Sequence, residues 1–499
     1  MYKQEAKGQL KFEDFYLPFS GHLNSENRWV RLASQIPWEE FEEEYAKKFS
    51  TNGMGAPAKP FRMALGAELI KRKLDIADEE VVQQIRENPY LQYFIGMEGY
   101  QEEAPFDASM MTHFRERLPL DMINRVNEKV IENGNKKKEL NGTGRSEEGR
   151  TNNHGKLLLD ATCIPQDIRY PTDLSLLNEA REKTEKVIDR LYEAGGKHGK
   201  KPRTYRKKAR KEYLTLAKQR TKNRKAVRRG LRKQLGYVRR NLKTIEKQVK
   251  TAGVRGLSKQ EYRNLLVCQE VFRQQEQMYK KGEQRIEDRI VSITQPHIRP
   301  IKRGKAGVET EFGSKLMISV VDGYTRIEKL SWDNYNESTL FIDSVESYKR
   351  RYGYYPESVH VDKIFLTKEN RTYCTGRGIR ISGPPLGRPS SDVNKTCEAR
   401  RLEAQDAKDR IPVEGKFGNC KRKYGLNRIF AKMIDTSECE IAIGILLLNL
   451  DKPLCGYIFV IFLVNRFFGE IRGNGCHNSL YPQNEAALKR QNTFSGSPN

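Results

Sequence analysis

The sequence has no CxxC pair, although its 499 residues include eight cysteines, at 163, 268, 374, 397, 420, 439, 455 and 476. That spacing excludes a zinc ribbon. The seven histidines show no pair at metal-ligand spacing, so any metal is expected to be hard and oxygen-ligated. No apolar h-region follows Met1-Tyr-Lys-Gln-Glu5, and the expectation is a cytoplasmic chain with reduced thiols. Long apolar runs are missing as well. The block 440–464 is broken by Asp451-Lys-Pro453 into pieces too short for a bilayer and reads as buried helices, so no membrane is expected. Acids nearly vanish from one window: residues 197–250 hold 23 Lys and Arg against only Glu212 and Glu246.

That window accounts for +21 of the chain's net +26. With a pI near 9.6 and a mean hydropathy of -0.77, the composition points to a polyanionic partner, nucleic acid first and an anionic membrane surface a distant second.

In chain order, residues 1–55 form a helical segment in which Trp38, Phe41, Tyr45 and Phe49 fall at helix spacing. Asn52–Pro60 is a Gly/Pro linker. Residues 61–132 read as short capped helices, with Asp78 and Asp107 at helix starts and Asn88-Pro89 as a stop. Met110, Met111, Phe114 and Leu118 form one buried stripe there. The opposite face carries His113, Arg115 and Arg117, the pattern of a helix-turn-helix-like DNA reader. A polar linker spans 133–153.

The basic region 174–304 is patterned. Leu231, Leu235, Val238, Leu242, Ile245 and Val249 step as a coiled-coil seam, and Leu265, Phe272, Tyr279 and Ile286 repeat every seven residues. The expectation is an antiparallel hairpin lying along DNA backbone, with Arg228, Arg229, Arg232 and Lys233 on phosphates. Pairing of the seam with a second subunit is the rival reading.

The central stretch is Lys156-Leu-Leu-Leu-Asp-Ala-Thr-Cys-Ile164, an apolar run that reads as a strand buried on both faces and ends in a carboxylate, Asp160. An ion buried there is costly without a partner. Strands at Lys315–Val321, Arg326–Trp332, Ser358–Val361 and Gly378–Ser382 follow, the fourth strand delivering Asp362. In Arg410-Ile-Pro-Val-Glu414, continuing to Lys421, a guanidinium, a carboxylate and an ammonium share one helical face. Such a triplet suits Mg²⁺ and DNA phosphates together. Three antiparallel strands, then alternating helix and strand, with acids on the first strand, the fourth strand and a late helix, is the order of the RNase H-like fold. The expected fold is therefore α/β, an RNase H-like catalytic domain (154–173 and 305–468) with a basic helical insertion, an all-α DNA-binding domain before it and a polar tail (469–499).

The segments Leu157-Leu-Leu-Asp-Ala-Thr162, Val361-Asp-Lys363 and Arg410-x3-Glu414-x6-Lys421 closely resemble the DDE transposases of bacterial insertion sequences, in particular the insertion-sequence-5/1182 group. Ile85–Gly96 resembles that group's N-terminal domain, and Asp167–Arg181 its signature after the first strand. The likeness runs from about residue 25 to 435. It implies Asp160, Asp362 and Glu414 as catalytic metal ligands for two Mg²⁺ ions, with Mn²⁺ able to substitute. It also implies double-stranded DNA as partner, both element ends and target, a homodimer or higher oligomer on DNA, and a nucleoid-associated bacterial enzyme. One position departs from the family: the tyrosine of its Tyr-x2-Arg motif is Ala407 here. The alternatives are a structure-selective nuclease of the same fold and a catalytically inactive DNA-binding descendant.

Overall fold

The computed structural model describes residues 11–18, 21–49, 57–140, 153–196, 200–302, 310–384 and 393–452. The expected polar tail, and the expected catalytic segment beyond 452, lie outside these residues.

Among the described residues a short 3-10 turn (Phe12–Asp14) is followed by seven α-helices: α1 (Arg28–Ala33), α2 (Trp38–Ala46), α3 (Phe61–Leu74), α4 (Asp78–Glu87), α5 (Pro89–Phe94), α6 (Met110–Arg117) and α7 (Leu120–Leu140). The aromatic face of α2 docks as its spacing requires, with Trp38, Phe41 and Tyr45 buried and the Trp38 ring edge-on to Phe61 and Phe94. Asn88-Pro89 ends one helix and starts the next: the Asn88 side chain accepts the Tyr90 N–H while Pro89 occupies the first helical turn. α7 runs well into the stretch expected as linker, because it has a surface to cover. Asn127 donates to the Thr325 carbonyl and accepts from Asn449, and Glu128 pairs with Arg326. These bonds hold α7 against an edge strand that would otherwise expose unpaired backbone groups.

That strand belongs to a mixed six-stranded sheet of β1 (Lys156–Pro165), β2 (Arg299–Lys302), β3 (Thr310–Val321), β4 (Tyr324–Ser331), β5 (Ser358–His360) and β6 (Arg380–Ile381). The order is β2-β3-β1-β5-β6, with β4 also on β3. β1 is antiparallel to β3 and parallel to β5, and β5 is parallel to β6. The sheet resumes at Arg299, earlier than the sequence boundary, because β2 pairs with residues 310–313 of β3. Gly313 permits a tight crossing there, where a Cβ would sit 2.0 Å from the Ile164 carbonyl oxygen.

One face of the sheet is apolar. Leu157, Leu159, Met317, Val359 and Val361 pack under α12 (Phe341–Tyr352) and α13 (Lys368–Thr375) through Phe341, Val345 and Cys374. The other face lies beneath α14 (Val393–Lys423), which contacts β1 and β5. A helix at 434–452, α15, closes the described chain. Among the described residues no helix is long and apolar enough to cross a membrane.

Between β1 and β2 stand four helices: α8 (Asp173–Ala194), α9 (Arg206–Ala217), α10 (Arg224–Ala252) and α11 (Lys259–Lys281). The expected two-helix pair, α10 and α11, is present, and it is part of a larger bundle with α8 and α9. Leu235 and Val238 of the α10 seam, with Cys268 and Val271 of α11, are buried against Leu176, Leu177 and Ala180 of α8. Phe272 and Tyr279 of the seven-residue repeat are only partly buried there, and Ile286 lies beyond the end of α11. The apolar stripe read as half of a coiled coil is thus filled within the chain.

Candidate active site

Alternation along β1 puts Leu157 and Leu159 on the apolar face and Leu158 and Asp160 on the face beneath α14. The β1–β5 register pairs Leu157 with Val359 and Leu158 with His360. Extending it by two places sets Asp160 beside Asp362. Asp362 caps a single turn (Lys363–Phe365), its Oδ1 accepting the Lys363 N–H at 2.8 Å. Asp160 likewise accepts the Ala161 N–H at 2.8 Å.

The two acids differ in environment. Burial pushes the Asp160 carboxyl up to about 6; its own hydrogen bond and Arg410 oppose this, while Glu337 and Asp362 add to it. The Asp362 side chain is 55% exposed, and Arg410 Nη1 of α14 lies 3.6 Å from its Oδ1. The structure therefore brings Asp160, Asp362 and Arg410 together. Glu414 stands one turn beyond Arg410, exposed, and among the described residues forms no hydrogen bond or ion pair. Lys421 is half-buried two turns further along. Pro412 lies inside this helix between Arg410 and Glu414. A proline there removes one backbone hydrogen bond and crowds the carbonyl four residues back, so the shared helical face is not a regular one. The other strand-end acid, Asp322, sits in the β3–β4 turn beyond Val320, which pairs with Leu158. It lies toward the start of β1, away from Asp362.

Two features carry no sequence signal. Lys315 and Glu337 pair at 2.8 Å, largely buried, and Glu337 is close enough to raise the Asp160 carboxyl. They are neighbours only because the turn before α12 folds back over β3. The second is a cluster of His360, Asp406 and Asp409, whose ligand-type atoms all lie within 4.8 Å of one another. Histidine spacing along the chain gives no hint of it, since its acids arrive on α14.

In the bundle, Arg228, Arg229, Arg232 and Lys233 are all exposed on α10. Arg228 stacks 4.7 Å over Tyr279, and Lys233 pairs with Glu212 at 3.0 Å. Arg229 and Arg232 line an open groove with Tyr205, Lys208 and Arg240.

The N-terminal cations are placed differently from expectation. Arg115 is buried and bonded to Glu68 at 2.9 Å and Asp78 at 2.7 Å; it is a structural ion, not a surface reader. Arg117 stacks 4.6 Å from the Phe49 ring. The stripe reading placed Arg115 opposite the core. It missed that α6 is packed on both sides, with α3 and its Glu68 covering the second. Residues 61–132 as a whole hold nine Lys and Arg against fourteen Asp and Glu.

The mixed sheet converges two aspartates under a helix carrying arginine, glutamate and lysine. Comparisons with known proteins supply the class, enzymes that cut and transfer DNA. Residues 359–451 match the family described as Transposase DDE domain, and residues 18–117 match Transposase domain (DUF772). The chain is 35% identical over 158 residues to an uncharacterized protein, ORF8 in the nfe locus of Rhizobium meliloti, covering 32% of this chain and 71% of that protein. No solved structure matches. The chain belongs to the DDE transposases of insertion sequences.

Membership implies a divalent metal. The donor set fits one: carboxylate oxygens predominate, and the half-buried Asp160 has Glu337 and Asp362 near it, against Arg410 and its own backbone hydrogen bond.

Proposed function

We propose that this transposase binds the terminal inverted repeats of its insertion sequence, cleaves there and joins the freed 3′-OH to target DNA. The observation that carries this reading is the placement of Asp160, Asp362 and Arg410 at one point under α14, with Glu414 one turn away. Asp160, Asp362 and Glu414 would hold Mg²⁺, two ions in the full site, with Mn²⁺ able to substitute. The metal supplies Lewis-acid activation of a water or 3′-OH and neutralises charge on the phosphate during in-line displacement. Arg410 and Lys421 hold the scissile strand's phosphates. Arg410, already 3.6 Å from Asp362, also keeps that carboxylate turned toward Asp160. The half-buried setting of Asp160 keeps bulk water from its oxygens until DNA covers the open side.

The strand order, with β1 between an antiparallel β3 and a parallel β5, supports an RNase H-like catalytic domain. In this reading α8–α11 form an insertion after its first strand, and α1–α7 a separate N-terminal domain. Residues Arg228, Arg229, Arg232 and Lys233 provide sequence-independent contact to double-stranded DNA, both element end and target. A dimer or higher oligomer on paired ends, associated with the nucleoid, completes the proposal.

The test is strand transfer from a pre-cleaved element end. Joined product that requires a terminal 3′-OH and a divalent ion supports the reading. Divalent-dependent cutting of branched DNA without any joining would instead favour a structure-selective nuclease.

A further inference from the structure

Beneath the N-terminal half of α14 lies a buried charged cluster that the chemistry above does not use. His360, at the end of β5, is fully buried. Its Nδ1 lies 3.5 Å from Asp406 Oδ1 and its Nε2 3.9 Å from Asp409 Oδ2, and Ser358 Oγ is 3.0 Å from Nε2. Asp406, also buried, receives both arms of the Arg380 guanidinium from β6, at 2.9 and 2.8 Å. Asp409 receives the Lys156 ammonium from the first residue of β1 at 2.7 Å.

Two acids and a histidine at such distances suggest a metal site, but the cations are already in place. Both oxygens of Asp406 are taken by a planar fork, and Asp409 is neutralised by Lys156. A divalent ion would have to displace two bound cations. The geometry points to another role. α14 is tied by hydrogen-bonded ion pairs to β6 through Arg380 and to β1 through Lys156, while His360 of β5 lies against both acids without bonding to either.

The cluster lies beside the acid pair. His360 precedes Asp362 by two residues on the same strand face, and Asp409 immediately precedes Arg410. Between Arg410 and Glu414 stands Pro412, so one of the backbone hydrogen bonds that carry register across that turn is missing. Val413, Phe417 and Cys420 seat the helix on the far side of the proline, but apolar contacts fix rotation less sharply than paired charges do. Ala407, exposed, offers no anchor.

We infer that the His360–Asp406–Asp409 cluster, with Arg380 and Lys156, is a positioning latch that fixes α14 on the sheet so that Glu414 faces Asp160 and Asp362. This rests on the reading that those three acids hold the divalent ion. Residues that orient metal ligands typically change metal affinity by about 10- to 100-fold when removed.

The experiment is Mn²⁺ binding to the full-length, DNA-free protein, followed by electron paramagnetic resonance of the free ion, beside the Mn²⁺ dependence of end cleavage. Asp406→Asn should raise the half-saturating Mn²⁺ concentration about tenfold, and cleavage should recover toward the parent rate at saturating Mn²⁺. A merely weakened fold would lower the rate at every metal concentration. Lys156→Met, at the exposed margin of the cluster, should move half-saturation in the same direction and decides the matter if Asp406→Asn does not fold. Glu414→Gln separates the two ideas. If it weakens Mn²⁺ binding while both latch variants bind like the parent, the latch is wrong. If Glu414→Gln itself binds and cleaves like the parent, the acid-site reading fails and the latch with it.

Discussion

Arg410 Nη1 stands 3.6 Å from Asp362 Oδ1, although the two residues arrive on a helix and a strand end 48 positions apart. A guanidinium on one side of Asp362 and the buried carboxyl of Asp160 on the other leave that acid placed but still open to solvent. The first prediction concerns these groups. Asp160→Ala, Asp362→Ala and Glu414→Ala should each lower cleavage and joining at least a hundredfold, since a lost ligand removes several kcal/mol of charge stabilisation. Binding to element ends, measured by gel shift, should survive. Near-normal cleavage by Asp362→Ala would remove the residue from the site, and Asp322 cannot replace it from the far end of β3.

Asp160 also gives a pH signature. Its folded carboxyl titrates near 6, above its usual range, because burial disfavours the charge. Folding therefore favours the protonated form, and the metal-free protein should lose stability as pH rises through about 6. The loss attributable to this group is at most about 3 kcal/mol. Thermal melts between about pH 4 and 7 should show this slope, concentrated below about pH 6, in the parent and a flatter one in Asp160→Asn. Added Mn²⁺ should restore the parent at pH 7.5 and leave the variant unchanged.

Arg410→Ala and Lys421→Ala should weaken end-complex formation and cleavage together, by about tenfold each, through lost phosphate contact. For Arg410 the Asp160 carboxyl loses an opposing cation, so its cleavage profile should also shift to higher pH. A variant that binds ends normally but cleaves poorly would assign the side chain to chemistry instead.

The buried network of the N-terminal helices makes a prediction opposite to the one its sequence suggests. Arg115→Ala takes the guanidinium from the fully buried Glu68 and leaves Asp78 with Lys71 alone, and should destabilise by about 3–5 kcal/mol. Discrimination between terminal-repeat and random DNA should be unchanged wherever the variant is folded. Selective loss of the specific complex in a fully stable Arg115 variant would return that side chain to the surface.

On the bundle, Arg229 and Arg232 are the best placed of the four basic residues for phosphate, since Arg228 and Lys233 have internal partners. Replacing Arg229 and Arg232 together should make the slope of log K against log salt shallower by about 2, equally for terminal-repeat and random DNA. Because α8 fills the α10–α11 seam, these substitutions should not change the oligomeric state seen by light scattering. A changed oligomer with an unchanged salt slope would make the bundle a subunit contact.

Much of the catalytic framework was legible because it depends on local rules. Three leucines before Asp160 require a doubly buried strand, and Val359 and Val361 require another before Asp362, so the sheet centre and its two acids followed from apolar runs. The bundle was half legible. The stripes on α10 and α11 are visible in their spacing, but that spacing does not say which helix covers them, and α8 was available as readily as a second subunit. Arg115 was misread because a charged residue opposite an apolar stripe looks exposed until a second layer supplies Glu68. The Lys315–Glu337 pair and the His360–Asp406–Asp409 cluster were beyond reach, because each joins residues whose proximity is created only by the closed sheet.

The bundle also bears on how the sheet forms. Asp173, at its entrance, pairs with Arg289 near its exit and accepts from Gln275, while Leu176 and Leu177 pack with Ile290 and Ile293. Once the helices associate, the chain leaves the bundle close to where it came in. The pairing of β1 with β3 then closes a short effective loop instead of the long connection written in the sequence, and loop closure becomes correspondingly less costly in entropy. A region whose charge suits it to DNA thus also lowers the effective contact order of the strands that carry the chemistry. Substitutions at Asp173 or Arg289 should for this reason slow refolding more than they hasten unfolding.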